Sequence, residues 1–139
     1  DFHIFSIPMI IAVDEITNTI RNTSYVYTIE GSMFPDTMNR YDVFTLREPL
    51  NNAIAHQDYS KMARIEIIEE EDEKLSFRNH GQFIPSSVED VVNKDFPESL
   101  YRNPFLVEAM RNVNMVETEG GGIRKLFMQQ KKRFFPMPT

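Results

Sequence analysis

The sequence predicts an α+β fold, a two-layer α/β sandwich in which helices cover one face of a mostly antiparallel, mixed sheet. Three observations carry this. Apolar residues recur at helical spacing in several segments, they alternate with charged residues in two adjacent segments at mid-chain, and the two patterns are interleaved along the sequence. With 139 residues, 41% of them hydrophobic, the chain can bury one sizeable core, so residues 1–139 are expected to form a single domain.

Residues 2–7 alternate loosely and predict a strand. Pro8 suits the first turn of a helix in which Met9, Ala12, Val13, Ile16 and Ile20 form one stripe. Residues 25–29 predict a second strand, followed by a loop over residues 31–40. From about residue 45 to 57, Leu46, Leu50, Ala53 and Ile54 share an arc, as on a core-facing helix. Ala63, Ile65 and Ile67 alternate with Arg64 and Glu66, and Leu75 and Phe77 with Lys74, Ser76 and Arg78, which predicts a hairpin through an acidic tip at residues 69–73. Like charges at that tip repel one another, so it is expected to be a solvated turn rather than a metal site. A short helix around residues 87–93 comes next. Another opens at Asn103-Pro104, with Asn as N-cap, Pro at the first position, and Phe105, Leu106, Ala109, Met110 and Val113 facing inward. The run Gly120-Gly121-Gly122 precedes a last helix over about residues 123–133.

Composition excludes several functions. Fifteen basic against twenty-one acidic side chains give a net charge of −6, which argues against direct nucleic-acid binding by this domain. The chain has no cysteine, which removes disulfide frameworks, thiolate zinc sites and thiol catalysis and makes a reducing cytoplasm the expected compartment. The longest apolar run, residues 7–13, is broken by Pro8 and is far short of the roughly 20 residues that span a bilayer. No signal peptide is visible within the sequence and its first residue is Asp1 rather than Met, so it is expected to be a domain of a longer multidomain protein. A Gly-x-x-x-x-Gly-Lys-Ser/Thr loop, which a helicase motor would need, is absent, as is a Gly-x-Ser-x-Gly nucleophile.

Glu48, Asn52 and His56 are spaced i, i+4, i+8 and stack along one helix face, opposite the apolar arc. A carboxylate, a neutral amide and an imidazole, with no Lys or Arg among them, can hold a hydrated divalent cation and polarise a water against a phosphate. The alternative is an ordinary polar face, with Thr45-x-x-Glu48 acting as a capping box. His56 and Asp58 read as a packed helix end and the start of a turn, with Tyr59 beneath the helix. A glycine run that opens a helix offers backbone N–H groups to an anion, and its alternative is a tight turn. At the carboxy end, Arg124, Lys125, Lys131, Lys132 and Arg133 beside Phe127, Phe134 and Phe135 read as a helix with its rings inward and its charges in water, the alternative being a basic and aromatic patch that touches nucleic acid.

The segment from Arg47 to Ser60, REPLNNAIAHQDYS, resembles the REALxNAxxHRDYS signature of the RecG-like carboxy-terminal ATP-binding domain of AlbA/Schlafen-type bacterial transcriptional regulators. That family is similar to a divergent branch of the GHKL, or Bergerat-fold, ATPases. Asn79-His80-Gly81-Gln82-Phe83-Ile84-Pro85 is similar to its NPGxxP motif and Arg102-Asn103-Pro104 to its RNP motif. Glu119-Gly120-Gly121-Gly122-Ile123-Arg124 is similar to its glycine-rich E-x-G-S-G-I-R box.

The resemblance implies that Glu48 activates water and that Asn52 ligates a magnesium ion bridging ATP phosphates. It also implies that Asn79 and Gly81 lie on the adenine side, and that Gly120, Gly121 and Gly122 form the phosphate-facing lid. The implied partners are a nucleotide, a neighbouring DNA-binding domain of the same chain and a second copy in a homo-oligomer, with no membrane. Four positions depart from the pattern. Asn79 stands where an aspartate is usual, Phe83 where a second glycine falls, Pro49 for alanine and Gln57 for arginine. Pro49 is expected near the amino end of its helix, where the lost N–H matters little. These departures favour a second expectation, a degenerate scaffold of the same fold that serves dimerisation or interdomain docking.

Overall fold

The computed structural model describes residues 1–71, 74–82, 101–116, 122–133 and 136–138. Along the chain these form α1 (Met9–Thr19), β1 (Ser24–Thr28), β2 (Pro35–Asn39), α2 (Val43–His56), a 3-10 turn (Tyr59–Lys61), β3 (Glu66–Glu70), β4 (Lys74–Arg78), α3 (Pro104–Asn112) and α4 (Gly122–Lys132). The expected helix at residues 87–93, and Phe83, Gly120, Gly121, Phe134 and Phe135, lie outside the described residues. The α+β class and the antiparallel pairing are those the sequence predicts. Among the described residues the strands pair as two ribbons, β1 with β2 and β3 with β4.

α2 is the centre of the packing, with α1, α4 and β4 against it. The predicted arc is the buried one: Leu46, Leu50, Ala53 and Ile54 are all in the core, and Leu50 is only 1% exposed. Val13 of α1 and Val107 and Met110 of α3 complete the cluster around Leu50 and Ile54. The helix starts earlier than Thr45. Asp42 is its N-cap, accepting from the Thr45 N–H at 2.8 Å, and the same carboxylate accepts from Gln129 and Arg133 of the α4 region. The capping box is therefore not formed, and Glu48 is left for another role. The earlier start also moves Pro49 to the second turn, where its missing N–H removes a hydrogen bond from the helix interior.

Other expectations need correction. Residues 2–7 form no strand, because alternation alone makes no ladder: the segment pairs with no strand among the described residues, and Phe2 and Ile4 are 81% and 61% exposed. The expected loop at 31–40 contains β2, whose Pro35, Asp36 and Asn39 are poor strand formers but are zipped to β1 in register, Tyr25 opposite Met38 and Tyr27 opposite Asp36. Gly31 makes that return, with φ +86° at the third position of a turn closed by Ser32 N–H to Ile29 C=O at 2.9 Å. Glu69 and Glu70 belong to β3 rather than to the tip, and Arg21 pairs with Glu71 at 3.0 Å. In α3 the inward residues are Val107 and Met110, with Leu106 half-buried, whereas Phe105, Ala109 and Val113 face outward.

Asn103 precedes α3 as expected, yet its side chain makes no cap bond to that helix. Its Nδ2 instead donates to the Ala55 and Gln57 carbonyls at 2.9 and 2.8 Å. Tyr59 adds a hydroxyl to the Ile54 carbonyl at 2.8 Å. The unpaired carbonyls at the end of α2 are thus satisfied by two side chains from elsewhere. Asn103→Ala is expected to cost about 1–3 kcal/mol in urea denaturation. Asn103→Ser should cost as much, although serine is a good N-cap residue, because the bonds lost belong to α2 and not to α3.

Candidate functional site

Glu48 and Asn52 point to one place. The Asn52 Nδ2 donates to the Glu48 carboxylate at 2.9 Å and to the Glu48 backbone carbonyl at 3.0 Å, so the amide is clamped by the residue one turn before it. With both bonds made through nitrogen, the Asn52 Oδ1 is left as the acceptor atom of the amide. Both side chains are half-buried. Gly122, the first residue of α4, lies against the same carboxylate: a Cβ built there would overlap Glu48 Oε1 and Cδ. A carboxylate on α2, an amide one turn on and the glycine that opens α4 therefore converge, from positions 74 residues apart in the sequence for Glu48 and Gly122. Glu48 also lines a cleft between α1, α2 and residues 113–116, which Asn52 and Gly122 do not line.

The other predicted residues fall at the far end of α2. Asn79 is exposed just after β4, and Gly81 follows with φ +145°. A Cβ at Gly81 would sit 3.2 Å from the His56 carbonyl and 3.3 Å from Arg102 Nε, so this turn closes tightly on the helix end. Gln57, 1% exposed, holds it there: its Nε2 donates to the Ala63 carbonyl at 2.8 Å and its Oε1 accepts from the His80 N–H at 2.7 Å. The Asp58 N–H donates to the His80 carbonyl at 2.6 Å, and Arg102 reaches Gln82 O at 3.0 Å and Asp58 at 3.9 Å. His56 lies beside Tyr101, ring centroids 5.7 Å apart, and not with Glu48 and Asn52 as a third ligand. Among the described residues no group of three or more His, Cys, Asp or Glu side chains could hold a metal ion.

Burial, and secondarily the nearby Arg102 guanidinium, hold the His56 imidazole below its ordinary pKa. A folded-state pKa below the unfolded one means that the unfolded chain takes up the proton first, so this contribution to stability is present above about pH 6.5 and is lost as pH falls. Asp58 is also lowered, chiefly by its hydrogen bond from the Ser60 hydroxyl, and its effect lies in the carboxylate range. The denaturation midpoint is therefore expected to fall between about pH 7.5 and pH 5.5 in the wild type, and to fall less in His56→Gln, which has no imidazole to titrate.

Comparison with known proteins bears on this arrangement. The profile of one family, described as "Putative ATP-dependent DNA helicase recG C-terminal", matches residues 60–139, more than half of the chain. The chain belongs to this RecG C-terminal family. A crystal structure of the DIP2311 protein from Corynebacterium diphtheriae is similar to it, with TM-score 0.72 and 21% identity over 94% of this chain and 25% of that chain. That likeness extends to the fold, and this chain spans about a quarter of the length of that protein. No curated protein matches the chain. The RecG C-terminal match includes Asn79, Gly81, Arg102, Asn103 and Gly122, while Glu48 and Asn52 lie upstream of it. The structure joins the two parts through the Glu48–Gly122 contact. No helix among the described residues is long and apolar enough to cross a membrane.

Three residues with structural or site roles were not read as such from the sequence. Gln57 is a buried clamp rather than a missing cation, and Asn103 caps α2 rather than α3. Asn51, between Glu48 and Asn52, is 4% exposed.

Proposed function

We propose that the chain is an ATP-binding domain of a bacterial transcriptional regulator, using magnesium, whose nucleotide state is relayed to a DNA-binding part of the same polypeptide. The observation that carries this is the meeting of Glu48, Asn52 and Gly122, supported by membership of an ATPase-like family.

The residues suit the group. Asn52 offers a hard oxygen, the donor type that magnesium takes, and one protein ligand fits an ion that keeps most of its waters and shares phosphate oxygens. Gly122 brings a helix amino end to the carboxylate with no side chain between them, and such an end favours a phosphate. When bound, magnesium–ATP supplies an electrophilic phosphorus whose negative charge the metal neutralises. Glu48 orients a water and takes its proton on a carboxylate oxygen. Asn52 keeps that carboxylate aimed through the 2.9 Å bond, and Gly81, drawn in by Gln57 and Arg102, shapes the base side.

Calorimetric titration of magnesium–ATP tests the reading. The wild type is expected to bind, Asn52→Ala to bind about ten-fold or more weakly, and Glu48→Ala to bind but lose phosphate release by about 100-fold. Absence of heat and of thermal shift at millimolar nucleotide would contradict it. One observation favours a second reading, a non-catalytic scaffold for dimerisation or interdomain docking: the Glu48 carboxylate already rests at the start of α4, where a phosphate would come. In that case Glu48→Ala lowers stability and leaves no nucleotide phenotype.

A further inference from the structure

The cleft between α1, α2 and residues 113–116 has a volume of about 800 Å³, within the range of small-molecule sites. Its lining joins an apolar wall, with Ile10 and Val13 from α1, Phe44 from α2, and Met115 and Val116 opposite, to a polar rim that includes Asp14, Arg47, Glu48 and Lys125. One polar side chain lies deep among them. Asn51 is 4% exposed, and its Nδ2 donates to the Met115 carbonyl. That bond sets the orientation of the amide, since the reverse flip would bring two oxygens together. The Asn51 Oδ1 is then buried with no hydrogen-bond partner among the described residues. A buried acceptor without a donor is uncommon in a folded protein, and here it lies on a residue that lines a cleft from which a ligand can supply one. The charged side chains of the lining balance, Asp14 and Glu48 against Arg47 and Lys125, with Arg47 paired to Asp14, so the cleft offers no net charge to a ligand.

We infer that this cleft is a binding site for a compact, uncharged aromatic molecule that carries one N–H or O–H donor. The apolar walls take the ring, and the donor is placed on Asn51 Oδ1. The cleft shares Glu48 with the nucleotide reading, but its deep residues, Val13 and Asn51, take no part in that reading and the ligand needs no phosphate.

Indole and benzofuran have nearly the same shape, and only indole has an N–H, so the pair isolates the donor. In ¹⁵N- and ¹³C-resolved NMR titrations of the whole chain, indole is expected to shift the Asn51 side-chain amide and the Val13 methyl signals, and to bind about ten-fold more tightly than benzofuran. Asn51→Leu should erase that preference. Because this change also removes the bond to Met115 and can unfold the chain, Ile10→Trp serves as a second variant: Ile10 is 52% exposed at the mouth, so the ring fills the cleft from outside and should block indole while the fold is kept. Equal affinity for the two probes, shifts mapping elsewhere, or no shift at the solubility limit of indole would overturn the inference.

Discussion

Gly122→Ala is expected to lower phosphate release about 100-fold while leaving the melting temperature almost unchanged. A Cβ at this position would overlap the Glu48 carboxylate, and since that group is the end of a flexible side chain, it yields before the backbone of α4 does. The steric cost is then small, and the better helix propensity of alanine offsets it by up to about 1 kcal/mol. The carboxylate, however, leaves its place beside Asn52 and the 2.9 Å bond is broken. The variant should therefore behave like Glu48→Ala in turnover. Adding Gly122→Ala to Glu48→Ala should change little, because the group that it displaces is already gone. If the second substitution were as harmful in the absence of the carboxylate as in its presence, the effect would have to come from displacement of α4.

Leu50→Ala should give the largest loss of stability of any single truncation in α2, about 3–5 kcal/mol in urea denaturation. Leu50 is 1% exposed and touches the cluster formed by Val13, Val107 and Met110, so no one neighbour can close the cavity. A loss of that size is a large share of the roughly 5–15 kcal/mol that stabilises a domain. The control is Phe105→Ala. The helical pattern places Phe105 inward, but it is 86% exposed, and its truncation should cost under about 0.5 kcal/mol. A greater loss from Phe105 than from Leu50 would mean that the packing of α3 on α2 is wrong.

These two residues show what was legible in the sequence. In α2 the apolar arc was clear because it stands against polar neighbours, and every member of it is buried. In α3 nearly all positions early in the helix are apolar, so periodicity could not tell which side faced the core; the Asn103 bonds to α2 decide that. β2 was illegible for another reason, since its residues have little strand preference and its pairing comes from the register with β1. Glu48 and Asn52 were found through their spacing of one helical turn, which is a local property. That Gly122 meets them is a long-range contact, and no local pattern announces it; only the resemblance of the glycine-rich run to a phosphate-facing box suggested it. The clamping role of Gln57 was hidden for the same reason, because its partners, Ala63 and His80, are brought to it by the hairpin.

Paramagnetic NMR with manganese in place of magnesium tests the central claim most directly. With ATP present, line broadening should centre on the backbone signals around residues 48–52 and on Gly122, and it should disappear from both places when nucleotide is left out. Broadening confined to the acidic strand β3 and its neighbour Glu71, unchanged by ATP, would place the cation on surface carboxylates and contradict the account.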